Sequence, residues 1–303
     1  MAEAATMVWK YTGGYYYFYI DNVMQKGWAS NGYNWYYLDP STGRCQFGWK
    51  KISGDWYYLI PENDSGRAAM GWLKIAGGWY YFDPTNGSGR MQMGWKKING
   101  AWFYLNPVNE SGAMMTGWQW LYDKGGEHWF YFRPGDDGRM VGGNQVIDGI
   151  EYRFGTLGSA TEGQLSLIQT WDLVDAGKHL DVDGNSKYMS YIWKGMNIWN
   201  GYKPGVIRRD SLTVAQDLYV TDIDQQNMAS GATSSDGKLK LNVYYLKNET
   251  ENTKTHIATH ELGHALGLAH TPTSGNMMWG WISGVILLSQ DDKTAYDRAY
   301  KNY

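Results

Sequence analysis

Between about residues 15 and 155 the chain alternates short aromatic runs with polar turns. The stretch Gly94-Trp95-Lys96-Lys97-Ile98-Asn99-Gly100-Ala101-Trp102-Phe103-Tyr104-Leu105 is typical of it. Two short strands flank an Asn-Gly turn signal, so the pattern predicts a β-hairpin. Trp102 and Tyr104 then face one side, Phe103 and Leu105 the other. Gly-Trp pairs end at Trp28, Trp49, Trp72, Trp95 and Trp118, spaced by 21 residues and then three times by 23. A second tryptophan opens each aromatic run, at Trp35, Trp56, Trp79, Trp102 and Trp129. A fixed period of this length marks a repeat architecture. One hairpin alone is marginal in water, so the units must stack and bury their aromatic faces on their neighbours. Beyond Gly142-Gly143 a degenerate unit, Ile147 to Phe154, reads as an end cap.

The pattern changes near residue 157. Aromatic density falls, and Thr156 to Gly163 reads as a linker. Tyr188, Ile192, Met196 and Trp199 form one stripe at helical spacing, which predicts a helix over Lys187–Asn200. Strand-like runs follow at Leu212–Val220 and Lys238–Leu246. Asp181-Val182-Asp183-Gly184-Asn185 resembles the start of a calcium loop. Ser186 and Ile192 stand at its sixth and twelfth positions, so it reads as a turn capping the next helix. Two domains are therefore expected, 1–157 and 158–303, each a normal size for one core.

Composition adds little except in the aromatics. Of 303 residues 17 are Trp and 25 Tyr, more than an ordinary core requires, and they crowd into the first half. The net charge of -3 and the lack of a basic patch argue against nucleic acid. No apolar run is long enough to span a membrane. The single cysteine, Cys45, permits no intrachain disulfide. The first residues lack the basic and apolar regions of a signal peptide: either the protein stays inside, or a signal peptide was removed and Met1 added to a mature sequence.

The chemistry lies in His260-Glu261-Leu262-Gly263-His264-Ala265-Leu266-Gly267-Leu268-Ala269-His270. On a helix, His260 and His264 are one turn apart on one face and can bind one zinc ion. Gly267 lets the helix end and the chain turn back, so His270 becomes a third ligand. Three protein ligands leave the fourth position to water, as catalytic zinc sites do. Glu261 lies beside the metal as general base. These residues form the elongated motif of the metzincin peptidases. Ser274-Gly275-Asn276-Met277-Met278-Trp279 resembles the methionine turn of the matrixin branch, with Met278 as the turn residue and Met277 a core neighbour. Leu288-Ser289-Gln290-Asp291-Asp292 resembles the start of the matrixin C-terminal helix, with Ser289 as N-cap and both aspartates structural. Asp236 to Val243 resembles the edge strand that lines the metzincin cleft, where an extended substrate can pair. The resemblance implies one catalytic zinc, a protein or peptide substrate, and structural calcium for which no ligands are assigned.

The repeats resemble the choline-binding, or cell-wall-binding, repeats of Gram-positive surface proteins. The shared pattern is Gly-Trp, a turn, Trp-Tyr-Tyr-Leu, then Gly-x-Met before the next Gly-Trp. That family implies aromatic cages that hold the quaternary ammonium of teichoic-acid choline by cation–π attraction. Trp49, Trp56, Trp72, Trp79, Trp95 and Trp102 are the candidate cage walls. Met24, Met91, Met114 and Met140 fill the methionine slot, with Met91 and Met114 the best-placed partners. Cys45 and Ala68 replace methionine in two units. A related group of repeats binds glucans.

His256 is expected to be a first-turn or surface histidine, and His128 and His179 have no ligand-spaced partners. Cys45 follows Arg44, as in the cysteine switch of latent matrixins, but occupies a repeat slot and is read as a substituted repeat residue. The expected whole is multi-domain: an all-β β-hairpin solenoid followed by an α+β metzincin-like zinc peptidase. It is expected to be secreted and associated with the cell wall, tethered to a choline-bearing polymer. The alternatives are a wall-bound adhesin or glucan-binding module with a vestigial peptidase, and a hydrolase of peptidoglycan cross-bridges.

Overall fold

The computed structural model describes residues 5–61, 65–123, 126–155, 159–211, 216–226 and 228–303. The chain divides into two compact units, Met1–Val141 with Leu157–Ala160, and Gly142–Thr156 with Thr161–Tyr303. Part of the expected linker, 156–158, lies outside the described residues, and Thr161–Gly163 is a short 3-10 turn.

The first unit is a run of antiparallel hairpins. Gly48–Ile52 pairs with Asp55–Leu59, Gly71–Ile75 with Gly78–Phe82, Gly94–Ile98 with Ala101–Leu105, and Gly117–Asp123 with Gly126–Phe132. The alternation is as expected: Phe103 and Leu105 are buried while Trp102 and Tyr104 are half-buried. Backbone bonds wire one hairpin to the next. In three units the slot methionine donates its N–H to the second tryptophan's carbonyl one unit earlier: Met91 to Trp56 at 2.8 Å, Met114 to Trp79 at 2.7 Å, Met140 to Trp102 at 2.8 Å. The slot side chain then lies on a turn glycine of the following unit. A Cβ on Gly112 would stand 2.3 Å from Met91 Sδ, and one on Gly138 2.2 Å from Met114 Sδ. Both glycines also have positive φ, so the 23-residue period repeats a glycine for two reasons.

The second unit is α+β. Its five-stranded sheet has the order Ile207–Arg209, Leu180–Gly184, Leu218–Ile223, Lys238–Asn242, Gly231–Ser234. All neighbours are parallel except the last pair. Helices α1 (Met189–Asn200), α2 (Val243–Leu246), α3 (Glu251–Ala265) and α4 (Gln290–Ala299) accompany it. Helix α1 lies along α3: Gly195 leaves room for Thr259, and the Trp199 indole donates to Thr259 O at 2.8 Å.

Four expectations are corrected. Asp181–Asn185 is not a turn, because Leu180–Gly184 is a buried strand paired on both sides, its Leu180 and Val182 filling the core. The strand from Lys238 stops at Asn242, whose side chain accepts from Tyr244 N and starts α2. That strand is also not the sheet edge, since Gly231–Ser234 pairs outside it. The strand expected over Leu212–Val220 is Leu218–Ile223, with 212–215 outside the described residues. In addition, the hairpin of Asn144–Ile147 and Ile150–Arg153 groups with the second unit, not the hairpin array.

Candidate active site and aromatic cages

Helix α3 carries His260, Glu261 and His264. Thr250 caps it, its side chain accepting from Thr253 N. The helix ends in a Schellman turn: Leu268 N donates to Gly263 O at 2.9 Å and Gly267 N to His264 O at 2.9 Å. Gly267, at φ 83, supplies the left-handed residue this turn requires. The chain then reverses against 165–173, with Ala269 N donating to Leu167 O at 3.0 Å and Gln169 N to Gly267 O at 2.7 Å. This reversal brings His270 to the other two histidines.

The ligand atoms of His260, His264 and His270 all lie within 4.8 Å of one another. Nε2 of His264 and Nε2 of His270 are 3.2 Å apart. Two ligands on a tetrahedral zinc at about 2.0–2.1 Å stand about 3.3 Å apart, so the spacing suits that ion. The ring orientation suits it as well. His260 Nδ1 donates to Met277 O at 2.8 Å, and His264 Nδ1 lies 2.8 Å from both Leu268 O and Gln169 Nε2. The Met277 bond fixes the His260 tautomer with its Nε2 lone pair toward the shared point. Gln169 Nε2 donates to the same Leu268 O at 3.0 Å. Burial holds all three imidazoles neutral, with His270 lowered to about 3 and the others also lowered. Neutral imidazole is the form that binds metal.

Glu261 is 5% exposed. Burial pushes its carboxyl up to about 7, against hydrogen bonds from Thr233 that lower it. Thr233 Oγ1 donates to Glu261 Oε2 at 2.8 Å and lies 3.0 Å from Glu261 O. Gly231 completes this contact, because a Cβ there would come within 2.7 Å of Glu261 Cγ. Both residues belong to the edge strand and escaped the sequence reading. The segment Gly-Ala-Thr-Ser has no apolar alternation to announce a strand.

The methionine turn lies beneath. Met277 and Met278 are fully buried. A Cβ on Gly263 would meet Met278 Sδ at 2.3 Å and Trp199 Cζ2 at 2.9 Å, so only glycine fits between the two helical ligands. Asp292, also fully buried, accepts from Met277 N at 2.8 Å and Met278 N at 3.0 Å. The same carboxylate accepts from Ser289 N at 2.8 Å and Ser289 Oγ at 2.7 Å, closing a capping box on α4. Asp291 accepts from Asn276 Nδ2 at 3.0 Å.

His256 is not a surface residue. It is 1% exposed, on the cleft face one turn before His260, and its Nδ1 donates to Val285 O at 2.8 Å. The segment after the methionine turn folds over it, and Ser283 Oγ lies 3.3 Å from both ring nitrogens. A cleft of about 240 Å³ runs from this segment, with Trp279 and Trp281, past Glu261 to the three histidines. The acidic group Asp175, Asp181 and Asp217 is the other metal-competent cluster among the described residues. Its acids already have partners: Arg208 grips Asp181 at 3.0 and 2.7 Å, and Asp217 accepts from Asp181 N at 2.9 Å.

In the hairpin array, the paired tryptophans stand nearly perpendicular. Trp49–Trp56 are 6.3 Å apart at 84°, Trp72–Trp79 6.4 Å at 85°, and Trp95–Trp102 6.2 Å at 86°. The following unit adds a third ring: Tyr80 at 5.0 Å from Trp49, Phe103 at 4.9 Å from Trp72, Phe130 at 4.7 Å from Trp95. These third rings were missed, although each directly follows the second tryptophan of its repeat. Met114 joins Trp72, Trp79 and Phe103 around a cavity of about 220 Å³ that Asp136 and Asp137 also line. Met91 is buried against Phe82, with Trp49 and Trp56 beside it. Carboxylates from farther along the chain reach two tryptophans or their lysines. Glu110 accepts from Lys51 at 2.7 Å and Trp56 Nε1 at 2.6 Å, and Asp136 accepts from Lys74 at 2.7 Å. Cys45 is buried and its thiol is pushed up to about 11, which removes the reactivity a cysteine switch requires.

Comparison with known families agrees with both halves. Residues 172–301 match the matrixin family. Residues 47–89 match the choline-binding repeat, and 26–41 and 93–107 the cell wall binding repeat. Segments of the first half thus match choline- and cell-wall-binding repeats, and most of the second half matches the matrixin family. Among solved structures, CbpJ of Streptococcus pneumoniae is 33% identical over 54% of this chain and 53% of its own, with a TM-score of 0.45. Choline binding protein F of the same organism gives 33%, 54%, 53% and 0.45. The endolysin from phage Cp-1 complexed with choline is 29% identical over 46% of this chain and 38% of its own, with a TM-score of 0.31. The chain spans about half the length of the first two. No curated protein matches it significantly. Among the described residues no helix is long and apolar enough to cross a membrane.

Proposed function

We propose that this chain is a zinc-dependent endopeptidase held at a cell wall by its choline-binding repeats. The observation that carries the reading is the set of three imidazoles whose Nε2 atoms converge beside a buried glutamate. When bound, a zinc ion at these histidines supplies Lewis-acid polarisation of the scissile carbonyl and acidifies a water molecule. His260, His264 and His270 would hold it, the tautomer of His260 set by Met277 O. Glu261 takes the water proton and delivers it to the leaving amine. Thr233 fixes that carboxylate, and the edge strand Gly231–Ser234 offers a backbone on which an extended peptide can pair.

The cages Trp49/Trp56/Tyr80 and Trp72/Trp79/Phe103, with the pair Trp95/Trp102, bind the trimethylammonium of choline on a wall polymer, and several weak sites on one polymer add avidity. The tether places the peptidase outside the cell. The test is Glu261→Ala. Zinc content measured on the purified chain stays near that of the wild type, while cleavage of a protein mixture falls by about a hundredfold or more. Unchanged proteolysis refutes the mechanism. Specific elution from a tertiary-amine resin by free choline tests the tether, and failure to bind the resin refutes it.

A further inference from the structure

The cleft has a second lobe. Beyond His264 and His270 it opens into a space of about 370 Å³, and Thr233, His264 and His270 line both parts. A peptide whose scissile bond lies over the three histidines must pass through this lobe on one side of that bond. One wall of the lobe is the hairpin Asn144–Ile147/Ile150–Arg153, which supplies Asn144, Glu151 and Arg153.

The hairpin is anchored there by three features. Ser166 N donates to Arg153 O at 2.7 Å, and Phe154 bridges to Leu165. The strip from Leu165 onward is the one that holds the Gly267–His270 reversal. On the other strand end, Ile150 presses on the segment after the methionine turn: a Cβ on Gly280 would stand 2.9 Å from Ile150 Cδ1 and 3.4 Å from His270 Nδ1. The hairpin's alternation then decides what it shows. Ile147, Ile150 and Tyr152 are buried, whereas Asn144, Val146, Glu151 and Arg153 are exposed. The register sets Asn144 opposite Arg153 and Val146 opposite Glu151 on that exposed face. Glu151 and Arg153 are two residues apart on one strand, so their side chains project the same way about 7 Å apart. Among the described residues neither makes a salt bridge.

We infer that this hairpin, repeat-like in sequence, is a substrate-reading wall of the peptidase, and that Glu151 and Arg153 select charged side chains on one side of the scissile bond. Glu151 favours a basic substrate residue and Arg153 an acidic one. The inference rests on the peptidase reading above.

The test is a cleavage profile of the full-length zinc-loaded chain on a mixed peptide library, with cut sites identified by mass spectrometry. Arg153→Glu and Glu151→Lys each reverse the charge preference at one or two positions, all on the same side of the cut. The expected change is about tenfold in relative kcat/KM, because attraction becomes repulsion at a partly exposed site. Asp148→Asn, at the hairpin turn outside the groove, leaves the profile unchanged. In a Glu261→Ala background, fluorescence anisotropy with a labelled preferred peptide shows the same loss of affinity on charge reversal. Reversed variants whose profile and affinity match those of the wild type overturn the inference. A wild-type chain that cleaves no peptide in the library overturns the peptidase reading itself, a separate failure visible before any variant is made.

Discussion

Asp292 offers the sharpest test of how this site is built. Its carboxylate, fully buried, accepts from two backbone N–H groups of the methionine turn and from Ser289 twice. Replacing it with alanine orphans both turn N–H groups, at about 1–3 kcal/mol each, and removes a helix cap worth about 1 kcal/mol. The expected loss is about 3–7 kcal/mol, comparable with the whole stability of an ordinary domain. The substitution Asp292→Asn is milder. The remaining side-chain oxygen can serve Met277 and Ser289, but the new NH₂ group then faces the Met278 N–H, for a loss of about 1–3 kcal/mol. In a domain of this size that lowers the midpoint by about 3–10 °C. The assay is scanning calorimetry of the whole chain, following the transition that responds to added zinc. Zinc affinity is measured in parallel, because Met277 O is also the acceptor for His260 Nδ1. Asp292→Ala with an unshifted zinc-responsive transition and unaltered zinc affinity refutes the reasoning.

Three other outcomes follow from particular contacts. Gly263→Ala forces a methyl group against Met278 Sδ and the Trp199 ring, costing about 1–3 kcal/mol by overpacking, and urea unfolding of the zinc-responsive transition reads it. Cys45, with its thiol pushed up to about 11, carries at pH 8 only about a hundredth of the thiolate of a cysteine at the ordinary value of 9.0. Its alkylation by iodoacetamide is correspondingly slow in the native chain and accelerates on unfolding; a native rate equal to the unfolded one contradicts the burial. Trp79→Ala opens the cage of Trp72, Trp79, Phe103 and Met114, and the choline concentration that elutes the chain from a tertiary-amine resin falls measurably, while Val146→Ala elutes with the wild type.

The sequence was most legible where chemistry is local. The histidine spacing and the glycine after the helix are set by helix geometry, and they picked out, without reference to the remainder of the chain, the three histidines that the structure brings together. The 23-residue period was equally plain, because one hairpin repeats one set of contacts. Legibility failed where a role depends on distant partners. The edge strand Gly231–Ser234 is composed of small and polar residues, so the more alternating Lys238–Asn242 attracted the assignment that belonged to its neighbour. Helix α3 is buried on nearly every side, including Thr253, Thr255, Thr259 and His256, so no amphipathic stripe showed which face was covered. His256 reads as peripheral for that reason, since the segment that covers it lies more than twenty residues away in sequence. The hairpin at Asn144–Arg153 misled differently: its aromatic and turn pattern continues the repeats, while its packing partners, Leu165 and Gly280, stand in no repeat at all.

The arrangement of the histidines explains why these distant segments belong to one site. Among the described residues neither helical histidine has a carboxylate behind it. His260 leans on the carbonyl of Met277 and His264 on that of Leu268, and both carbonyls sit in the chain just after α3. Leu268 lies within the reversal that delivers His270, and Met277 within the turn pinned by Asp292. The loop that carries His270 thus also contacts His264, and the methionine turn orients His260. A displacement of either loop rotates an imidazole as well as moving a neighbour, so metal affinity and the packing of Met278 against Gly263 must change together. A backbone carbonyl would carry no charge to neutralise a bound ion, and among the described residues Glu261 is the sole buried carboxylate on the cleft face of the motif. The proton-accepting role proposed for Glu261 is protected by that use of backbone acceptors.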